Sequence, residues 1–450
     1  MAVAMPAARS LLLLLLLVAP LAPGSSEAAV RPNPKIVNWV ADNARASTPD
    51  SFGALVFDLS VGTPRQTLSF VMDITEQLVW AQCGQHGFTQ SQAPTFRPGS
   101  SFAPIGCKDT ACQSLAPDDN CIHPDDHCNY AWDFQRHGSG SMSGYLATET
   151  FSFGAKSVPG MVFGCSDNVT ARALGGVSGF AGFGRAPLSL VSQLHVSKFS
   201  YFIDDNNGDD NSFLGLGDAG AAPALGNNST PLLLATTKQD SYLYYVNLTG
   251  IQVHGELLAD IQAGAFAIKE DGSGGVFLST TIPYTFLPEA AYQVLRQELA
   301  SRIRSQGVAP MNATSDDLCF LKENFRSVKV PRLALVFDGA DAAMELNVKN
   351  YFSIYDEWRT CLTILPSPNG AAVLGSLLQT GRTMTYDIHG DGGQLTFEPV
   401  PAGGPDPALA HAGGPDLAPA HAHAGAPAPA RGSLVITGTL LAWVLLFQQF

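Results

Sequence analysis

Residues 54–83 read ALVFDLSVGTPRQTLSFVMDITEQLVWAQC. Ala54 to Val61 and Leu68 to Met72 are runs of apolar and β-branched residues, a composition that is typical of strands. Gly and Pro lie between the two runs, where they favour a turn. The second run ends at Asp73, so the stretch predicts a strand that delivers one carboxylate into a second turn.

The same alternation of short apolar runs with Gly, Pro, Asn and Asp turns continues to residue 399. Helical periodicity is limited to short stretches, of which Glu289 to Ile303 is the clearest and Ser189 to Leu194 is a second. The turn-rich residues 204–226 interrupt the pattern and mark a boundary between halves. We therefore expect an all-β core with a few short helices, divided into residues 36–230 and 231–399.

The N-terminus has the three parts of a secretory signal peptide. Arg9 precedes an unbroken run from Leu11 to Leu17, and small residues follow this run up to Ala29. An apolar run this short and this close to the first residue fits a buried core helix poorly. We therefore expect residues 1–29 to be removed and the chain to enter the secretory pathway.

The C-terminal end separates into a stalk and an apolar tail. Residues 400–433 are rich in Pro, Ala, Gly and His, a composition that cannot bury enough apolar surface to fold. Residues 434–450 are largely apolar, but they are too few to span a membrane comfortably. Small residues, a spacer and this tail fit a GPI-attachment signal, which makes a lipid anchor the only expected membrane contact. A tail-anchored helix and an unused tail are the alternatives.

The overall charge argues against a nucleic-acid partner. The chain has 450 residues and a formal net charge of -14. A negative surface repels phosphate backbones and anionic membrane lipids. We therefore expect partners of another chemical class.

Eight cysteines make an even count, which in a secreted chain indicates a disulfide framework. Six of them lie before residue 170 and two after residue 318, which suggests that the two halves are cross-linked separately. The spacings leave many pairings open among the first six. Zinc is the alternative, but the cysteines are spaced more widely than in zinc sites, so we expect no metal.

Five asparagines begin sequons for N-glycosylation, in which Ser or Thr follows two residues later. They are Asn168, Asn227, Asn228, Asn247 and Asn312. The second and third overlap, so we expect at most one of that pair to carry a glycan. Together with the signal peptide, the sequons predict a secreted glycoprotein.

Residues 54–83 resemble the first active-site region of pepsin-like aspartic proteases of the plant nepenthesin type. That region has a Gly-Thr-Pro turn, then Asp-Thr-Gly-Ser, then Leu-x-Trp-x-x-Cys. The matching residues here are Gly62, Thr63, Pro64, Asp73, Leu78, Trp80 and Cys83. Further matching motifs are Phe163-Gly164-Cys165, Gly182-Phe183-Gly184-Arg185, the residues from Leu188 to Leu194, Phe199-Ser200-Tyr201, Tyr244-Tyr245-Val246, Val373-Leu374-Gly375 and Tyr386-Asp387.

The resemblance covers nearly all of residues 50–399. It implies a bilobal pepsin-like aspartic protease fold, in which two β lobes face each other across a substrate cleft. It also implies a disulfide bond between Cys319 and Cys361, which match the C-lobe pair of the family. No cofactor is expected.

Aspartic-protease chemistry needs two carboxylates that share one proton, because one activates the attacking water while the other protonates the carbonyl. Asp73 matches the first of them. The family's second motif places Asp-Ser-Gly-Thr after Gly-Gly-Val and two apolar residues, whereas here residues 274–278 are followed by Ser279. A serine hydroxyl does not ionise in acid, so Ser279 cannot be the second acid. Asp271, followed by Gly and Ser, lies before the predicted strand and is not a substitute.

The first motif and the flap also depart from the family. Thr75 replaces a glycine, so the backbone there must either avoid positive φ or be strained. After Cys128, the flap sequence of the family is replaced, and either Phe134 or His137 takes the place of the flap tyrosine. Ser139 to Ser141 fit a Gly- and Ser-rich hairpin tip better than a nucleophile site for His137.

These observations predict a secreted or cell-surface aspartic-protease-like glycoprotein with lost or very weak peptidase activity, whose inter-lobe cleft or surface binds a peptide or protein. The first alternative is an active endopeptidase that works at acid pH, with Glu76 as the second carboxylate. The second is an inhibitor of a glycoside hydrolase, because residues 279–284 also resemble the corresponding stretch of cereal xylanase inhibitors.

Overall fold

The computed structural model describes residues 39–400, apart from residue 42 and the segments 47–53, 85–93, 116–120, 122–126, 134–140, 170–175, 205–210, 218–227, 235–241, 312–316, 340–341 and 390–391. The described residues all belong to one compact unit. The predicted signal peptide, the C-terminal tail and nearly all of the stalk lie outside them. No helix within the described segments is both long and apolar enough to cross a membrane.

The described residues are arranged mainly in strands. The strands of the first half are β1 (Trp39–Val40), β2 (Arg45–Ala46), β3 (Leu55–Val61), β4 (Gln66–Asp73), β5 (Val79–Gln82), β6 (Ala103–Pro104), β7 (Asn129–Asp133), β8 (Ser141–Phe153), β9 (Lys156–Val169), β10 (Gly179–Gly182), β11 (Lys198–Phe202) and β12 (Phe213–Leu216). Those that follow are β13 (Ser229–Leu233), β14 (Tyr245–Val246), β15 (Leu248–Val253), β16 (Glu256–Leu257), β17 (Val276–Leu278), β18 (Thr285–Pro288), β19 (Cys319–Leu321), β20 (Leu333–Phe337), β21 (Ala343–Leu346), β22 (Phe352–Ile354), β23 (Arg359–Leu362), β24 (Ile364–Ser367), β25 (Ala372–Leu374), β26 (Arg382–Asp387) and β27 (Gln394–Pro399).

The helices are short, apart from one. They are α1 (Thr110–Leu115), α2 (Leu190–Gln193), α3 (Glu289–Arg304), α4 (Lys322–Phe325), α5 (Val348–Tyr351) and α6 (Ser376–Gln379). The longest, α3, confirms the periodic stretch that begins after Pro288, and it buries Leu295, Leu299 and Ile303 on one face. The second predicted helix is confirmed as α2, where Ser189 caps the first turn by accepting a hydrogen bond from Ser192 N.

Four sheets organise the strands. The largest has the order β1-β12-β11-β26-β27-β13-β14-β17-β25-β18-β24, so strands from the beginning and the end of the chain share one sheet. A nine-stranded sheet has the order β2-β3-β4-β10-β5-β9-β8-β6, with β7 paired to β8. The two small sheets are β16-β15-β20-β21 and β19-β23-β22. The stretch 204–226, expected to contain turns, includes β12, because Phe213 to Leu216 pair with β11.

The two halves contain the same arrangement of strands around one central strand, which is β10 in the first half and β25 in the second. In the first half, β10 pairs in parallel with β4 and antiparallel with β5, and β5 pairs in parallel with β9. In the second half, β25 pairs in parallel with β17 and antiparallel with β18, and β18 pairs in parallel with β24. The first two strands of each repeat therefore lie on opposite sides of the central strand, and the turn that joins them is not a hairpin turn.

Each repeat also has its own apolar cluster. Trp80 of β5 stacks on Phe180 of β10, with ring centroids 5.3 Å apart, in a cluster drawn from the first half. Phe286 of β18 and Val373 of β25 lie in a cluster drawn from the second half. The largest cluster contains residues from both halves. Burial of apolar side chains therefore stabilises the strand repeat in each half of the chain.

All eight cysteines are in disulfide bonds. The bonds join Cys83 to Cys165, Cys107 to Cys121, Cys112 to Cys128 and Cys319 to Cys361. The last is the pair that the resemblance implied, and its cysteines are register partners in β19 and β23. Each half is thus cross-linked separately, as the distribution of cysteines along the chain predicted.

We expect Gly375→Ala to destabilise the second repeat. A Cβ at this position would lie 2.3 Å from Tyr284 O and 2.5 Å from Pro283 O, and both are backbone atoms that cannot rotate away. Overpacking of this kind costs about 1 to 3 kcal/mol. Urea denaturation should therefore show a lower free energy of unfolding. Gly106→Ala is the control, because a Cβ there meets nothing within 4 Å; equal losses for the two variants would contradict the assignment.

Candidate active site

Asp73 and Ser279 begin equivalent turns in the two strand repeats. Asp73 is the register partner of Gly182 at the end of the parallel pair of β4 and β10. In the second repeat the parallel pair ends with Leu278 opposite Leu374, and Ser279 N continues it by donating to Leu374 O at 3.0 Å. The antiparallel partner strand follows each turn at the same distance along the chain, with Trp80 opposite Phe180 and Phe286 opposite Val373. Ser279 therefore lies where the second repeat would carry the counterpart of Asp73.

The carboxylate of Asp73 is surrounded by hydrogen-bond donors. Asp73 is buried, with 1% of its surface exposed. Oδ1 accepts from Thr75 N at 2.7 Å and from Thr75 Oγ1 at 2.6 Å, and Oδ2 accepts from Thr281 Oγ1 at 3.0 Å. Donors directed at a carboxylate stabilise its charged form. Both oxygens of Asp73 are thus held by hydroxyl groups of the protein itself.

Thr75 occupies its position without a left-handed backbone. Among the described residues, the non-glycine positions with positive φ are Asn43, His195 and His254. The turn has therefore adapted to the threonine rather than being strained by it, which is the first of the two possibilities that the sequence left open. As a result the Thr75 hydroxyl points back at Asp73.

Thr281 connects the two turns at their centre. Its Oγ1 lies 3.0 Å from Asp73 Oδ2 and 3.4 Å from Ser279 Oγ. Ser279 Oγ in turn accepts from Thr281 N at 3.3 Å and from Ile282 N at 3.1 Å, and Ser279 is 0% exposed. The hydroxyl of Thr281 therefore lies between the Asp73 carboxylate and the Ser279 hydroxyl.

Thr280 links the second turn to the backbone of the first. Its Oγ1 donates to Met72 O at 2.8 Å and lies 3.2 Å from Ile74 N, which donates to it. The equivalent position in the first turn is Ile74, whose apolar side chain is buried and cannot return such bonds. Thr280 of the second turn therefore binds the backbone of the first turn, and Ile74 makes no equivalent side-chain hydrogen bond in return.

Glu76, the alternative second carboxylate, lies in the turn that follows Asp73. Its Oε1 accepts from Gln77 N at 2.9 Å. Burial is the main cause of the raised pKa of Tyr130, and the negative charge of nearby Glu76 adds to that rise. The backbone N–H of Glu76 donates to Asp73 O at 3.4 Å, so Glu76 belongs to the same turn as the first carboxylate.

The remaining predicted site residues fall into three groups. Phe134, His137, Asn227 and Asn312 lie outside the described residues. Asn168 is exposed on β9, while Asn228 and Asn247 are half-buried. Asp271 accepts from Ser273 N at 2.9 Å and from Ser273 Oγ at 2.7 Å in an exposed turn before β17, so it takes no part in the site.

Sequence reasoning missed Thr280 and Thr281. Both hydroxyls act across a sequence separation of more than 200 residues, so no local pattern marks them. The signal that could have found them was the alignment of residues 279–281 with residues 73–75, which places a threonine opposite each of Ile74 and Thr75.

Two copies of this strand repeat, each presenting a turn to the other across a hydrogen-bonded contact, define the pepsin-like aspartic protease class. Family models described as "Xylanase inhibitor N-terminal" and "Xylanase inhibitor C-terminal" match residues 56–218 and 243–399. Aspartic proteinase nepenthesin-1 of Nepenthes gracilis is 34% identical over 342 residues, 74% of this chain and 75% of that protein. Nepenthesin-2 of the same plant is 32% identical, covering 75% of each chain. The chain therefore belongs to the nepenthesin-type family of pepsin-like aspartic proteinases.

Solved structures have the same fold. The crystal structure of edgp superposes with a TM-score of 0.61 at 18% identity, covering 81% of this chain and 95% of that one. Basic 7S globulin from soybean superposes with a TM-score of 0.58 at 18% identity, covering 80% and 95%.

Replacing Thr280 with valine should weaken the contact between the two turns. The substitution keeps the shape of the side chain but leaves Ile74 N and Met72 O without this partner in a buried place. An unsatisfied buried group costs about 1 to 3 kcal/mol, so thermal unfolding should begin at a lower temperature.

Thr249→Val serves as the comparison, because Thr249 donates to Val336 O at 3.0 Å on an exposed surface where water can replace it. A loss of stability at Thr249 as large as that at Thr280 would show that the buried link is not special.

Proposed function

We propose that this protein is a secreted or cell-surface aspartic-protease-like glycoprotein that does not cleave peptide bonds by the two-carboxylate mechanism and instead binds a peptide or protein. The observation that carries the proposal is the arrangement of Asp73, Thr281 and Ser279. A single carboxylate faces two hydroxyl groups where the chemistry requires a second carboxylate.

The acid and base roles cannot be divided between these groups. In the two-carboxylate mechanism, one carboxylate takes a proton from water while the other gives a proton to the carbonyl oxygen. A serine or threonine hydroxyl does not ionise at the pH where a carboxylic acid titrates. Loss of one general acid or base lowers a rate by about 10² to 10⁴. The serine at position 279 therefore supports the proposal that peptide bonds are hydrolysed very slowly or not at all.

The position needed by the attacking water supports the same conclusion. A water shared by two carboxylates must lie within hydrogen-bond distance of both. Thr281 Oγ1 already lies at 3.0 Å from Asp73 and 3.4 Å from Ser279, so a covalently fixed hydroxyl fills that place. Besides the changes at Thr75 and in the flap sequence, the centre of the site therefore lacks the second acid and has an occupied water position.

The wider setting of the proposal follows from the chain's chemistry. Four disulfide bonds favour an oxidising, extracytoplasmic compartment. We further propose lobes at residues 36–230 and 231–399 with the ligand in the cleft between them, N-glycans on the sequons, removal of residues 1–29 and a GPI anchor at the C-terminal tail.

Two substitutions together should create the activity that the wild-type chain lacks. Ser279→Asp supplies the second acid at a place where Thr281 N and Ile282 N already donate, and Thr281→Gly frees the space for water. We expect pepstatin-sensitive cleavage of a denatured protein at about pH 3 to 5, the range in which aspartates titrate, only in the double variant.

The controls separate the two changes. Ser279→Asp alone and Thr281→Gly alone should remain near the background of Asp73→Asn in the same secreted, full-length chain. Cleavage by the wild-type protein that depends on Asp73 and is blocked by pepstatin would overturn the proposal, and its loss in Glu76→Gln would identify the second acid.

A second candidate function is inhibition of a glycoside hydrolase. The description of the matching family models and the likeness of residues 279–284 to cereal xylanase inhibitors favour it. Residual xylanase activity measured against increasing amounts of the purified protein would test it.

A further inference from the structure

Four exposed cations lie near one another in the second half of this acidic chain. Arg304 is the last residue of α3, and Arg326, Lys329 and Arg332 lie between α4 and β20. All four side chains are exposed. We call these four residues the basic patch.

Backbone and side-chain hydrogen bonds bring the segments of the basic patch together. The Gln306 amide, just beyond Arg304, donates to Lys329 O at 3.0 Å and accepts from Lys329 N at 2.9 Å. His254 N, in the hairpin between β15 and β16, donates to Arg332 O at 2.7 Å. The end of α3, the loop before β20 and the hairpin therefore form one continuous surface.

Neighbouring acids are bonded to another cation. Arg302 binds both Glu298 of α3 and Glu256 of β16. Among the described residues, none of the four cations of the basic patch forms an ion pair, whereas Arg45 and Arg359 pair with Asp58 and Asp356. Glu323 of α4 is exposed close by in sequence. Within the part of the chain that the structure describes, the positive charge of the basic patch is therefore largely uncompensated.

The local charge has the opposite sign to the whole chain. Residues 322–332 contain Lys322 and three cations of the basic patch against Glu323, a net charge of three positive units, in a chain of net charge -14. A local field of one sign attracts ligands of the other sign even when the net charge is unfavourable. Exposed charges are individually weak and screened by salt, so a ligand must contact several at once.

We propose that the basic patch binds an acidic polysaccharide, a chain of regularly repeated carboxylates such as a polyuronate. The cations are exposed and spread over two segments of chain rather than gathered in a pocket, an arrangement that suits an extended ligand with spaced charges. A single phosphate group would meet only one or two of them. The proposal rests on the extracellular location proposed above and is independent of whether the active site hydrolyses peptides.

The test uses the secreted, full-length protein and polygalacturonate immobilised on a sensor surface. We expect saturable binding at low salt that weakens as salt is added. A variant with Arg304, Arg326, Lys329 and Arg332 changed to glutamine should bind about tenfold or more weakly. Tenfold corresponds to about 1.4 kcal/mol, which four exposed charge contacts can supply together although each is weak.

A matched variant removes the same charge elsewhere. Changing Arg65, Arg97, Lys108 and Lys269 to glutamine gives the same net charge but leaves the basic patch intact, and all four are exposed. It should retain binding within about twofold, which a general charge effect would not allow. Thermal unfolding of both variants checks that they are folded.

Three results would overturn the proposal. They are no binding by the wild-type protein, equal losses in the two variants, and preferential retention on phosphatidylserine vesicles over polygalacturonate. The last result would identify the basic patch as a membrane contact.

Discussion

The hydroxyl of Thr280 joins two turns that are far apart in the sequence, and the geometry of the site depends on it. It is the donor to Met72 O and the acceptor from Ile74 N, so it positions the backbone on both sides of Asp73. A buried hydrogen bond of this kind is costly to break because water cannot replace it. With this link in place, the hydroxyl of Thr281 lies within hydrogen-bond distance of both Asp73 and Ser279.

The same link holds the two turns together although the residue at position 279 is a serine. Ile74 cannot return the bond, and Thr75 and Thr281 direct hydroxyls at Asp73. These side chains donate hydrogen bonds to the buried carboxylate in the absence of a second acid. Without such donors, a buried charge would be poorly solvated. The fold accommodates serine at position 279 because hydrogen bonds from Thr75 and Thr281 to Asp73 stabilise the centre.

Several parts of the structure could be predicted from the sequence because their causes are local. The strands around Asp73 and the helix that begins after Pro288 follow from side-chain patterning with periods of about 2 and 3.6 residues. The equivalence of Ser279 with Asp73 could be proposed from motif order alone. The strand β12 was not expected, because its pairing with β11 and its place in a sheet shared by both halves are contacts that turn-rich local sequence does not reveal.

The sequence by itself determined the mostly-β class, the family and the absence of an aspartate at position 279, because each depends on residue identity and order. Only the tertiary structure decided which cysteines pair in the first half, that the Thr281 hydroxyl lies between Asp73 and Ser279, and that Arg304 joins the cations before β20. These are contacts between residues that are distant along the chain. They arise from strand pairing and apolar burial, whose geometry no local spacing specifies.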